Sequence, residues 1–381
     1  MDFLIESISQ ITWQNVVMWV IGGILIFLAI KKDMEPALLL PIGFGAILVN
    51  IPLSNVINEV IVNEAGETEV VARGIIDWLF EVGVEASEAM PILLFIGIGA
   101  MIDFGPLLSN PKLFLLGGAA QFGIFLTILL ATMIGFNIND AAAIGIIGAA
   151  DGPTSILVAM KLGSQFLGPI TVVAYSYMAL VPIIQPAVVK CITTKKERRI
   201  RMEYNPVSVS RTTKVLFPIV VTLIAGLIAP KSLALVGFLM FGNLLRECGV
   251  LRLLSETAQN VLANLITLLL GITIAAQMKA ESFVTWETAI ILGLGLLAFV
   301  FDTVAGVMFA KFMNIFSKKK INPMIGAAGI SAFPMSARVI QKMGLKEDPN
   351  NHLLMHAIGA NVSGQIASAI VGGLIIGLIM G

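Results

Sequence analysis

Asp151 is the side chain whose type and position most need a reason. It stands in Gly148-Ala-Ala-Asp-Gly-Pro-Thr-Ser155, inside an apolar stretch. A carboxylate at lipid depth costs about 2.5–3.5 kcal/mol on insertion scales, and is kept where it pairs with a cation or relays a proton. Pro153 lacks an N–H and disfavours helix just before it, and Gly152 permits unusual φ, so the helix should break here and release carbonyl oxygens. A carboxylate, free carbonyls and the hydroxyls of Thr154 and Ser155 are the hard oxygens that replace the water shell of Na⁺; protonated, Asp151 suits H⁺ instead. The plainer alternative is an N-cap at a turn, for which Asp before Gly-Pro is also suited.

A second interrupted stretch offers neutral ligands. Asn322-Pro-Met-Ile-Gly326 precedes Ser331-Ala-Phe-Pro-Met-Ser336, and Gly359-Ala-Asn-Val-Ser-Gly-Gln365 sets Asn361 and Gln365 at i and i+4 on one helix face. Small residues in such stretches also serve close helix packing. Arg338 is either a snorkelling anchor or the bidentate partner of a carboxylate arriving from the cytoplasm. Tyr175 and Tyr177 are candidate proton donors or hydroxyl ligands, or members of an interfacial belt. There is no GxxxxGK[ST], no HExxH and no Ser-His-Asp set, and Cys191, Cys248, His352 and His356 do not make a conventional zinc cage.

The elements that must position these residues follow from hydropathy. With 57% hydrophobic and 13% charged residues in 381, and a mean hydropathy of +0.94, the chain reads as a polytopic membrane protein. Balanced charge and 7% aromatic residues exclude nucleic-acid binding. Apolar runs fall at 16–30, 36–52, 90–105, 112–136, 166–190, 215–229, 233–248, 259–278, 286–312 and 353–380, about ten transmembrane helices. The first follows Asp2 and Glu6, lacks a cleavage pattern and ends at Lys31-Lys32, so it reads as a retained helix rather than a signal peptide.

Charge decides how the runs are threaded. The basic segment 191–214, with Lys195, Lys196, Arg198, Arg199 and Arg201, and the run Lys318 to Lys320 belong in the cytoplasm, whereas 53–88 has Arg73 alone among many acids and belongs outside. Both placements hold only if 141–160 is a re-entrant hairpin from the outer face and 322–345 one from the cytoplasm, which leaves both termini outside. Ile147-Gly-Ala-Ala150 and Gly118-Ala-Ala-Gln121 reappear as Ile325-Gly-Ala-Ala328 and Ile274-Ala-Ala-Gln277. The expected architecture is therefore an all-α polytopic protein with two opposed re-entrant hairpins in an inverted repeat. It divides into N-terminal helices and an external acidic loop (1–88), a first repeat (89–190), a cytoplasmic basic loop (191–214) and a second repeat (215–381).

Gly145-Ile-Ile-Gly-Ala-Ala-Asp-Gly-Pro-Thr-Ser155, Ser176-Tyr-Met-Ala-Leu-Val-Pro-Ile-Ile-Gln-Pro186, Gly242-Asn-Leu-Leu-Arg-Glu-Cys-Gly249, Ser331-Ala-Phe-Pro-Met-Ser-Ala-Arg338 and Gly359-Ala-Asn-Val-Ser-Gly-Gln365 together resemble the β subunit of the sodium-pumping, biotin-dependent decarboxylases. These include the oxaloacetate, methylmalonyl-CoA and glutaconyl-CoA enzymes. The resemblance implies a multi-pass subunit of the bacterial cytoplasmic membrane that decarboxylates carboxybiotin, consumes a proton and exports sodium. It implies Asp151, Asn322, Gly326, Ser331 and Asn361 as sodium-site positions, Tyr177 in sodium or proton handling, and Arg338 facing carboxybiotin. The implied partners are a carboxyltransferase α subunit, a biotin carrier and a small single-span membrane subunit, with the chain a homo-oligomer in the complex. Biotin belongs to the carrier, since no Met-Lys-Met acceptor occurs here. Two other classes fit the midplane residues: a sodium-coupled transporter of a small carboxylate, and a structural anchor, for which Asp151 would be dispensable.

Overall fold

A lipid core offers the backbone no hydrogen-bond partner, so a chain this apolar crosses it as helices. The computed structural model, which describes residues 7–32, 36–62, 68–204 and 209–381, is helical nearly throughout. Asp2 and Glu6 lie outside the described residues. The helices that position the site are α1 (Trp13–Lys32), α2 (Pro36–Val49), α3 (Ala89–Met101), α4 (Phe114–Ala120), α5 (Phe122–Ile134), α6 (Ile138–Gly145), α7 (Gly152–Lys161), α8 (Leu167–Ile192), α9 (Arg211–Ile228) and α10 (Leu233–Glu247). They continue with α11 (Arg252–Gln277), α12 (Trp286–Phe316), α13 (Met324–Ala327), α14 (Met335–Glu347) and α15 (Leu354–Met380).

Seven helices among the described residues are long and apolar enough to cross a membrane, fewer than hydropathy marks. The runs at 36–52, 90–105 and 233–248 form helices of 14, 13 and 15 residues, short of the roughly 20 that a lipid core requires. They pack closely against other helices. A Cβ on Gly99 of α3 would lie 1.9 Å from Leu239 O, and one on Gly242 of α10 would lie 2.0 Å from Ile96 O, so α3 and α10 touch backbone to backbone. The acidic 53–88 segment starts outside helix and returns to it over Ile75–Phe80 and Glu81–Glu85. Its strands β1 (Glu59–Val62) and β2 (Thr68–Ala72) pair antiparallel, as their β-branched content favours.

Both interrupted stretches double back. At the first, Asn139 Nδ2 donates to Leu162 O (2.9 Å), while Asp140 Oδ1 accepts from Ser164 Oγ (2.6 Å) and Gln165 N (3.2 Å). The start of α6 and the end of α7 therefore share one level. At the second, Asn322 Nδ2 donates to Arg198 O (3.0 Å) and Ile200 O (2.8 Å), Asn351 Nδ2 donates to Arg198 O (2.9 Å), and Arg198 Nε pairs with Glu347 Oε1 (2.8 Å). Both ends of that hairpin are fastened to the basic segment. Between the two bases runs α8, 26 residues and so about 39 Å at 1.5 Å per residue. It starts next to the first base and ends at Ile192, beside Thr193, whose carbonyl holds Arg198 Nη1 (2.6 Å). The bases of the two hairpins thus lie at opposite ends of α8, the second beside the basic segment.

Their tips meet directly. Ser331 N donates to Ala149 O (2.9 Å), and glycines make the approach possible. Gly326 of α13 faces Gly306 of α12: a Cβ on Gly326 would lie 2.0 Å from Gly306 O, and one on Gly306 would lie 2.1 Å from Gly326 O. Gly364 of α15 sits against Gly329, where a Cβ would lie 2.0 Å from the Gly329 oxygen.

Gly306→Ala or Gly326→Ala should accordingly overpack a backbone seam, cost about 1–3 kcal/mol or more, and show as lower thermal stability in detergent. At the second base, hydrogen bonding to Arg198 holds the Glu347 carboxyl below its usual range, and Arg201 does the same for Asp348. A lowered carboxyl adds stability above its unfolded value and loses it as pH falls through the folded one. The base should stay fastened near neutrality and loosen only on acidification below about pH 4, seen as faster amide exchange over residues 345–351.

Candidate functional site

The first tip is built by successive terminations. Asn137 caps α6 by accepting from Asp140 N (2.9 Å), the helix tightens to a 3₁₀ turn over Ile146–Ala149, and Ala150 then adopts φ +53°. That left-handed conformation costs a residue with a Cβ about 1–2 kcal/mol. The unusual φ expected at Gly152 therefore falls on Ala150. Gly152 is small for another reason: a Cβ there would lie 2.4 Å from Tyr175 Cζ.

Asp151 follows in extended conformation and caps α7, its Oδ1 accepting from Thr154 N (3.4 Å). The N-cap alternative thus describes the local geometry, but the cap faces no water. The residue is 3% exposed, and Oδ2 accepts from Gln365 Nε2 (3.0 Å) and Ser368 Oγ (2.9 Å) of α15. No basic side chain forms an ion pair with it among the described residues.

The second tip approaches the same stretch of α15. Asn361 Nδ2 donates to Ile330 O (2.6 Å) and Ser331 Oγ to Gly364 O (3.0 Å). From the break between α4 and α5, Gln121 Nε2 donates to Gly117 O (3.1 Å) and Gly329 O (3.4 Å). On these meeting elements, Asn361 Oδ1, Thr154 Oγ1, Gln121 Oε1 and Tyr175 Oη are buried without a hydrogen-bond partner. Each such group costs about 1–3 kcal/mol, so the elements that meet here carry several unsatisfied oxygens besides the buried carboxylate. One carboxylate with amide and hydroxyl oxygens suits a hard monovalent cation or a proton rather than a softer metal.

Of the residues marked by sequence, the structure brings together Asp151, Ser331, Asn361 and Gln365. Asn322 lies at the base of the second hairpin, bonded to Arg198, and Gly326 lies in the seam with α12. Tyr177 Oη donates to Leu292 O of α12, whereas Tyr175 is the tyrosine that packs on the first tip. Arg338 lies on a cleft of about 420 Å³ lined also by Pro182, Pro186 and Met335. Of the other acids in or near spans, Asp302 accepts from Ile124 N (3.2 Å) where α5 restarts, Asp103 lies 3.7 Å from Lys214, and Glu247 meets Arg246 and Lys214.

Three further residues carry roles that sequence reasoning did not single out. Ser368 reads as a packing residue on a small-residue helix, although it follows Gln365 by three and so shares its face. Gln121 is signalled only by the interruption around it. Gln185, fully buried between Pro182 and Pro186, donates from Nε2 to Ala327 O and Ser336 Oγ (2.7 Å each). It ties both arms of the second hairpin to α8, behind the wall that faces Arg338.

Residues 14–379 match the family model described as Na⁺-transporting oxaloacetate decarboxylase beta subunit. The chain is 48% identical over 376 residues to the methylmalonyl-CoA decarboxylase subunit beta of Propionigenium modestum, covering 96% of this chain and 94% of the relative. It is 48% identical over 370 residues to the glutaconyl-CoA decarboxylase subunit beta of Acidaminococcus fermentans, covering 97% and 94%. To the oxaloacetate decarboxylase beta chain of Haemophilus ducreyi it is 45% identical over 419 residues, covering 97% and 96%.

Gln185→Leu keeps the volume near that of the amide and removes both bonds. Amide exchange over residues 327–336 should then quicken about tenfold, the equivalent of roughly 1.4 kcal/mol of local stability, with α8 itself little altered.

Proposed function

The chain belongs to the family of Na⁺-transporting decarboxylase β subunits, and from that premise we propose that it decarboxylates carboxybiotin at its cytoplasmic cleft and uses the reaction to export sodium past Asp151. It is a multi-pass protein of the bacterial cytoplasmic membrane and works as the β subunit of a multi-subunit decarboxylase. The observation that carries the site assignment is the buried Asp151 carboxylate, without a basic partner among the described residues, where the tips of the two hairpins join. A carboxylate in that position is neutralised by an ion that comes and goes.

Sodium, the cargo, takes its oxygens from Asp151, Asn361 and the Ser331 tip. Gln365 and Ser368, now donors to the carboxylate, also carry acceptor oxygens. Asn322 and Gly326 serve the ion at a distance, by fixing the second hairpin at its base and along α12. In the cleft, Arg338 holds the carboxylate of carboxybiotin. Loss of CO₂ from the ureido nitrogen leaves an electron pair that takes up one proton, so each turnover consumes H⁺. Tyr177 supports that proton's passage through the hydroxyl it sets against α12. With sodium bound, Asp151 is neutral and the joined tips can shift as a unit; a proton arriving from outside then displaces the ion.

The partners follow from the chemistry. A carboxyltransferase charges biotin, a carrier brings it, and a small single-span subunit and further copies of this chain complete the assembly. Biotin is attached to the carrier. The relatives named above are decarboxylase subunits rather than carboxylate carriers, which favours this reading over sodium-coupled carboxylate transport.

Asp151→Asn keeps the cap while removing the charge. It should lower sodium-stimulated decarboxylation and ²²Na⁺ uptake by inverted vesicles at least a hundredfold, roughly the 3 kcal/mol of a lost charged contact, with an unchanged elution profile. Activity that kept the normal response to sodium would refute the site.

A further inference from the structure

The cleft holds more positive charge than one arginine accounts for. Arg338, Lys342 and Lys346 follow one another at i, i+4 and i+8 along α14, and Lys190 faces them from the end of α8; all four line the same cavity. Side chains so spaced form one row, with rungs about 6 Å apart. None of the four enters an ion pair among the described residues. Glu347, the one acid among the described residues that line the cleft, is engaged by Arg198 at 2.8 Å. Between the cations the wall is apolar, made of Pro182, Pro186, Val339 and Met343.

Uncompensated charge in a row beside an apolar strip matches a ligand with a terminal anion on a hydrocarbon stem. We propose that Lys346 and Lys342, with Lys190 opposite, are positioning residues that lead the carboxylate of carboxybiotin from the cytoplasmic rim down to Arg338. This rests on the reading that carboxybiotin is the cleft's ligand. The apolar wall takes the stem and ring, and the carboxylate exchanges one cation for the next without meeting an anion. Decarboxylation removes the charge that all four side chains recognise, so the same row that favours entry of the charged arm has no hold on the neutral product. The cleft thereby distinguishes carboxylated from bare biotin before any chemistry occurs.

The test uses the whole purified complex and two substrates, free carboxybiotin and the carboxylated carrier. Lys342→Gln and Lys346→Gln should each raise KM for free carboxybiotin about three- to tenfold at low ionic strength, and the difference should shrink as salt screens it. Inhibition by uncarboxylated biotin should stay at its wild-type value in both. Lys196→Gln, the same charge change on the same face outside the cleft, should leave KM as it is. If Lys196→Gln raises KM equally, or if the cleft variants lose affinity only for the carrier and not for free carboxybiotin, the row serves the general field or the carrier's surface and the inference is overturned. Arg338→Gln separates this from the underlying reading. Full activity in that variant removes carboxybiotin from the cleft altogether, whereas its inactivity beside wild-type KM in both lysine variants overturns the row alone.

Discussion

A buried carboxylate with no basic partner among the described residues constrains everything around it. Asp151 can remain there only if other groups satisfy it, and the groups that do so come from its own α7 and from the α15 pair Gln365 and Ser368, while Asn361 on the same α15 holds the opposing tip. Bringing them together requires backbone that is not continuous helix, and irregular backbone survives in a membrane only where protein surrounds it. The glycine seams at Gly306, Gly326, Gly329 and Gly364 provide that enclosure by letting helices close to van der Waals distance around the breaks. The strained φ at Ala150 is tolerated for the same reason.

The two ends of the machinery are then connected by few contacts. Arg338 stands three residues into the helix that starts beside the second tip, and Ser336, two residues before it, is held by Gln185 on α8. From the other arm, Ala327 is held by the same amide. A ligand that moves α14 against α8 therefore acts on the hairpin whose far end touches Ala149 and Asn361. The long helices α8 and α12, by contrast, run past both hairpins and serve as the frame.

Much of this was legible in the sequence. The lone acid in Gly-Ala-Ala-Asp-Gly-Pro, the charge asymmetry between 53–88 and 191–214, and the i, i+4 pair Asn361 and Gln365 each have a direct physical reading, and each led to the region where the tips meet. Legibility ended where a residue's role depends on a partner distant in the chain. Asn322 is an amide in a membrane segment like Asn361, and nothing local says that it binds the carbonyls of Arg198 and Ile200 instead of facing the tip. Tyr175 and Tyr177 differ by two positions on one helix and so point to different sides, a choice settled only by what packs against each. The short helices α2, α3 and α10 read as full spans because hydropathy measures apolarity and not enclosure, and strands β1 and β2 are too short to stand out beside them.

One contact between the two tips is almost insensitive to side-chain substitution. The bond from Ser331 N to Ala149 O is made by main chain on both sides, so any residue but proline at position 331 still supplies the donor, and every residue at 149 supplies the acceptor. Side chains around Asp151 can change while the bond between the two tips stays put. Only a chemist's edit, an amide-to-ester exchange at position 331, would take that donor away while leaving each side chain as it was.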